Sequence, residues 1–227
     1  MRRTAWIAMT TTAVLLAVGS LRYFSLNPLV IIPGQRGAYL ANEVPLLLHI
    51  AGGTVALAVG PFQFLSGLRA RRPELHRALG RLYLAAVALT AAGGLGLARI
   101  AQGGPIARLG FAALAVVLLA TTAMALAMIL RHRVPAHRAW MTRSYAVVFT
   151  AVTFRLWLAV FTITGLPFDQ VYAVGAWTAW IINLLIAEAL LEGSSLRHRQ
   201  LGQRQRAAGV GEPLDGAETR NVGAVVT

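Results

Sequence analysis

Apolar residues along this chain gather into six blocks, near 5–25, 44–66, 80–101, 110–130, 140–163 and 171–192. Each is about the 20 residues that an α-helix needs to cross a bilayer. Short polar segments rich in arginine separate them. The pattern predicts an all-α integral membrane protein, a six-transmembrane-helix bundle with helices 2 to 5 at its core. That domain covers residues 1–192. Residues 193–227 mix Gly, Arg, Gln and Glu without periodicity and read as a disordered cytoplasmic tail. The first block, with Arg2 and Arg3 before it, also has the layout of a signal peptide. Its apolar run is long for that role, and the reading is an uncleaved first helix.

Composition changes the picture in three ways. The chain is 57% apolar and only 13% charged, outside the range of an ordinary soluble domain. Its 21 basic residues are all arginine and the net charge is +13, yet the arginines lie between apolar blocks and form no basic stripe, which argues against nucleic acid. With the N-terminus inside, sixteen arginines fall on one side and four, Arg22, Arg36, Arg99 and Arg108, on the other. The positive-inside rule then places both termini in the cytoplasm, N-in/C-in, as expected for a multi-pass protein of a bacterial cytoplasmic (inner) membrane. The absence of cysteine excludes disulfides, thiolate metal sites and cysteine nucleophiles.

Polar residues inside the blocks are the candidates for function, because each needs a partner in lipid. Arg155 costs about 2.5–3.5 kcal/mol at mid-span on insertion scales, so it must face protein, water or an anion. His49 lies inside the second block and Gln63 toward its far end; Asn183 and Glu188 are in the sixth. “HRALGRLY” at 76–83 is nearly repeated by “HRAWMTRSY” at 137–145, each with a proline upstream (Pro73, Pro135). His76 and His137 thereby start helices 3 and 5 at one depth, beside Arg77 and Arg138. His49, Gly53, Ala56, Gly60, Gln63 and Gly67 share one helical face, as do His76, Gly80, Tyr83, Val87, Thr90 and Gly94. His137 and Arg155 are eighteen residues apart, five turns, and so fall on one face. Small-residue stripes also serve close helix packing without any ligand, and His-Arg at a helix start suits an anchor on lipid phosphates.

“LLLHIAGG”, “GPFQFLSGLRARRPELHRALGRLY”, “HRAWMTRSYAVV” and “VTFRLW”, spanning residues 40 to 190, resemble an uncharacterised family of bacterial membrane proteins, domain of unknown function 2306. A narrower set, His49, Gly52, Gln63, Phe64, Gly67, Pro73, His76 and Gly80, resembles the haem-binding helix pair of the cytochrome b-561 superfamily. That resemblance implies b-type haem and electron transfer across the membrane to a redox partner. His76 and His137 would hold the haem iron with Arg77 and Arg138 on propionates, and His49 with Arg155 would mark an outer site. The departure is that no histidine on the outer half of helix 4 pairs with His49, which leaves at most one bis-histidine site.

Two other classes compete. A non-haem membrane enzyme or binding protein for a lipid, isoprenoid or quinone-like molecule would use His49, Glu43 and Arg155 around an apolar cavity. A transporter would exploit the two parallel helix–loop–helix units around His76 and His137, although no discontinuous helix is evident at mid-span.

Overall fold

The computed structural model describes residues 3–31 and 33–209. Six helical segments are long and apolar enough to cross a membrane: Arg3–Ser25, Glu43–Phe64, Pro73–Ala98, Gly104–Leu130, Val134–Phe161 and Phe168–Leu196. They coincide with the six apolar blocks, and no strand occurs among the described residues. In detail the helices are α1 (Arg3–Ser20), α2 (Arg36–Leu40), α3 (Glu43–Val59), α4 (Ser66–Arg71), α5 (Pro73–Ala98), α6 (Gly104–Leu130), α7 (Val134–Val148), α8 (Thr150–Thr162) and α9 (Phe168–Gly209). Three-ten turns at Leu21–Ser25 and Gly60–Phe64 extend α1 and α3. Prolines in the first turns of α5, α6 and α7 start these helices where no N–H is needed.

The chain divides into two compact units, 1–188 and 189–227. Helix α9 runs on to Gly209, so residues 193–209 are helical where a disordered tail was expected. Leu, Arg and Gln, all good helix formers, dominate that stretch. The rest of the expected tail, residues 210–227, lies outside the described residues.

Within the first unit, α3 packs on α5, α5 on α6, α6 on α7 and α1 on α3. The buried core joins Ala13 and Ala17 of α1 to Ala56, Leu57, Tyr83, Ala86, Val87, Leu118, Tyr145, Val147, Val148 and Val152. The first helix thus belongs to the core alongside helices 2 to 5. The two “HRA” segments meet there: Tyr83 Oη lies 2.8 Å from Ser144 Oγ, which lies 2.7 Å from Thr122 Oγ1, and Tyr145 Oη donates to the Leu57 carbonyl at 3.2 Å. These bonds satisfy the hydroxyls of Tyr83, Thr122, Ser144 and Tyr145, as a membrane interior demands.

The α3–α5 crossing depends on glycine. A Cβ on Gly52 would overlap the backbone of Ala86 and Thr90, and one on Gly93 the backbone of Pro45 and His49. This close approach sets His49 directly against Thr90.

The fifth membrane segment has a one-residue break. Phe149, itself at right-handed helical angles, separates α7 from α8, a local irregularity within one continuous span. Its N–H bonds the Tyr145 carbonyl at 2.8 Å, and Val152 N–H bonds the Phe149 carbonyl at 2.9 Å. Asn183 of α9 patches the break. Its Nδ2 donates to the Ala146 carbonyl at 3.1 Å and its Oδ1 accepts from Thr153 Oγ1 at 3.0 Å. Irregular backbone at membrane depth persists only where protein or a cavity receives it, and here both do.

Candidate functional site

A cavity of about 280 Å³ opens between α3, α5, α6, α7 and α8, at the end of the bundle that carries residues 21–42. Its body is apolar, walled by Leu46, Leu114, Leu118, Val147 and Phe154. Its polar groups are few: His49 and Thr90 on one wall, Arg155 on another, and Tyr23, Gln35, Tyr39, Gln102 and Tyr172 toward the loop end. Thr150 and Ala151, just past the helix break, also line it. The volume lies near the lower end, about 300 Å³, of sites for small molecules.

The hydrogen bonds of His49 fix its tautomer. Nδ1 lies 3.0 Å from the Thr90 carbonyl, which only accepts, so Nδ1 carries the proton. Thr90 Oγ1 in turn donates to the His49 carbonyl at 2.9 Å. The ring is open to the cavity, and its other nitrogen, Nε2, holds a lone pair for which no hydrogen-bond donor occurs among the described residues. It is an acceptor for an O–H, a base or a ligand.

Arg155 offers the complementary chemistry. Its Nη1 donates to the Ala151 carbonyl one turn back at 3.0 Å. Among the described residues no carboxylate pairs with it; the single ion pair there is Arg143–Glu188. Tyr23, Tyr39 and Tyr172 line the cavity with Arg155, and Arg22 is a further cation at this end. Burial pushes the Tyr39 phenol above its ordinary range, opposed by its contact with Tyr172 and by Arg155, so it stays a neutral O–H donor. The aromatic rings of Phe111, Phe154 and Tyr172 pack together at 5.2–5.3 Å between centroids, Phe154 edge-on to each of the other two.

The other sequence-predicted residues fall elsewhere. Glu43 is exposed and lies off the cavity, which removes it from the expected His49–Glu43–Arg155 cluster. His137 and Arg155, on one face by counting turns, belong to different ends, with the break at Phe149 between them. His137 Nδ1–H donates to the Ala125 carbonyl of α6 at 2.8 Å. Glu188 takes a two-point ion pair from Arg143, Nε–Oε1 at 2.5 Å and Nη2–Oε2 at 2.7 Å, with that guanidinium over the Trp140 ring. Asn183 serves the helix break. Gln63, His76, Arg77 and Arg138 gather at the end opposite the cavity, with His137 and Arg69.

Haem asks for a flat slot between two facing imidazoles. The stripes that suggested one are partly taken up by packing: Gly53 by Thr90, Gly94 by the His49 ring and Gly60 by the Tyr145 ring, while a Cβ on Gly80 would meet only the Gln63 Oε1 at 3.7 Å and one on Gly67 nothing within 4 Å. No second histidine lines the cavity with His49. At the cavity end the residues present therefore offer no bis-histidine site for a haem. Sequence reasoning missed Gln35, Tyr39 and Tyr172, which lie in or next to segments with no helical period to relate them to His49. It also missed the Arg143–Glu188 pair, because Arg143 reads as a flanking charge.

Of the known families, one described as “Predicted membrane protein (DUF2306)” matches residues 46–191. That range holds α5 to α8 whole and all but the first turn of α3, and so most of the cavity wall. No curated protein and no solved structure matches the chain.

Proposed function

The chain belongs to the DUF2306 family of predicted membrane proteins, and we propose that it binds an amphiphilic small molecule within the membrane, with an oxygen-bearing head in the cavity. The observation that carries this reading is Arg155, a guanidinium on a cavity wall inside a membrane segment with no carboxylate partner among the described residues. Such a cation persists where a ligand oxygen completes it. Arg155 and the tyrosines donate to an acceptor oxygen, and His49 Nε2 accepts from an O–H. A quinol-like head satisfies both with one ring, and its isoprenoid tail suits the apolar walls. His49 is also the group that receives a proton if the bound head ionises. The arginine distribution supports a bacterial cytoplasmic membrane with both termini inside, which puts the cavity in the outer half.

The test is the ligand itself. Protein purified in mild detergent is extracted, and the extract is analysed by mass spectrometry beside an absorption spectrum. Quinone or quinol is expected at near one per chain from wild type and strongly depleted from Arg155→Gln. An acidic lipid in its place would keep the site and change the head group. A reduced haem spectrum lost in His76→Ala, with no amphiphile retained, would overturn the reading.

A further inference from the structure

The end of the bundle opposite the cavity carries a second, independent set of groups. Gln63 is only 8% exposed, and its Nε2 is buried without a hydrogen-bond partner. His76 Nδ1 is likewise buried and unpartnered. The two are neighbours, since the Gln63 amide lies over Gly80, one turn along α5 from His76. Arg69 reaches the same turn, its Nη1 donating to the Gln63 main-chain carbonyl at 3.0 Å. Every charge acting on His76 is basic: Arg69, His137 and Arg77. Arg138 of α7 faces Arg69, and burial together with that neighbour holds the Arg69 guanidinium below its ordinary range. Glu74, the nearest carboxylate in sequence, is exposed and is not among the charges acting on either.

Two buried polar atoms without a partner thus lie beside a group of like charges, of which Arg77 and Arg138 are exposed and Arg69 half-buried. Left alone, each buried unpaired group costs free energy, and like charges add to it. Both costs vanish with one partner, an anion with several acceptor oxygens. Carboxylate offers two oxygens in a plane, whereas phosphate presents oxygens in three dimensions to donors converging from α4, α5 and α7. From this geometry we infer that the cluster of Gln63, Arg69, His76, Arg77, His137 and Arg138 is a phosphate-binding site at the membrane surface. The phosphate belongs either to an anionic phospholipid head or to a free phosphate-bearing solute. Guanidinium groups at a bilayer surface, where headgroups are abundant, favour the first source.

Thermal unfolding of the full chain in detergent tests this. Phosphatidylglycerol, phosphatidylcholine and inorganic phosphate are titrated separately. Phosphatidylglycerol is expected to raise the melting midpoint saturably, by about 3 °C or more. The shift should disappear in Arg69→Gln/Arg138→Gln and shrink in Gln63→Leu. Gln63→Leu removes an unsatisfied donor, so it should fold at least as well as wild type, which separates lost binding from lost structure. Arg71→Gln/Arg131→Gln, which removes exposed arginines outside the cluster, should keep the shift. Arg155→Gln should keep it too, so failure of the cavity reading leaves this site standing. A response to inorganic phosphate alone would assign the site to a solute. No response to either phosphate source, or equal loss in the Arg71/Arg131 variant, would overturn it.

Discussion

At the cavity end of the bundle one guanidinium, Arg155, lines the cavity with three tyrosines, and the histidine on its wall has a settled tautomer. At the opposite end three arginines crowd two histidines, and two buried polar atoms have no partner at all. The first site keeps a few separate openings, the His49 lone pair, the Arg155 cation and the buried, unpartnered Gln102 Oε1, spread around apolar walls, which suits a head with few polar groups. The second is unfinished in many directions at once, which suits an anion with several oxygens. One membrane domain therefore treats polarity in two ways: sparing and oriented near the cavity, dense and uncompensated at the far end.

The largest way to break this contrast is through glycine. Gly52 and Gly93 lie where α3 and α5 touch backbone to backbone and hold His49 against Thr90. Gly93→Val should cost about 3 kcal/mol, the upper end for overpacking, and abolish a monodisperse peak in fluorescence-detected size exclusion. The same stripes behave differently at the other end. A Cβ on Gly67 meets nothing within 4 Å, and one on Gly80 meets only the Gln63 tip. Gly67→Ala should run as wild type; equal damage from both substitutions would remove the tight crossing as the cause.

Next in size is Arg155. A charged hydrogen bond is worth about 1.5–3 kcal/mol, so Arg155→Gln should weaken amphiphile binding roughly ten- to a hundredfold, read by equilibrium titration in detergent. His49→Phe should cost less, since one acceptor is lost and Thr90 keeps its bond to the backbone. A larger loss from His49→Phe than from Arg155→Gln would reverse the assigned roles.

These contrasts were unequally visible in the sequence. Six apolar blocks and the prolines before α5 and α7 set the helices, because burial in lipid leaves the backbone no other choice. Arg155 and His49 stood out as polar residues at membrane depth, and their shared cavity follows from one glycine-dependent crossing. What stayed hidden depends on contacts between distant segments. Tyr39 joins the site through the segment between the first two membrane helices, whose path no period predicts, and meets Tyr172 in the first turns of α9. The break at Phe149 has no proline or glycine beside it. It is written instead in Asn183, thirty-four residues away, whose amide takes up the freed carbonyl. An isolated asparagine in an apolar helix signals a partner but not which one.

Asn183 gives the third prediction. Hydrogen bonds between membrane helices are worth about 0.6 kcal/mol on average and up to about 1.7. Asn183→Ala loses bonds to both Ala146 and Thr153, so a cost near the top of that range is expected in unfolding measurements. Because Thr150 and Ala151 line the cavity just beyond the break, amphiphile binding should fall as well, while the phosphatidylglycerol response stays. A matching fall in both would mean that the two ends are one cooperative unit.

The smallest effect compares the two “HRA” histidines directly. His137 Nδ1–H is spent on the Ala125 carbonyl at 2.8 Å, whereas His76 Nδ1 is buried with nothing to bond. Removing a satisfied donor leaves a carbonyl orphaned; removing an unsatisfied one relieves a penalty. In phosphate-free, lipid-depleted detergent, His137→Leu should therefore lower the melting midpoint modestly, by the equivalent of about 0.6 kcal/mol. His76→Leu should leave the midpoint unchanged or raise it. Adding phosphatidylglycerol should close that gap, because the ligand gives the wild-type His76 the partner that the protein withholds. If His76→Leu is the more damaging of the two before any lipid is added, its nitrogen already has a partner, and the contrast between the two ends loses one of its two unpaired atoms.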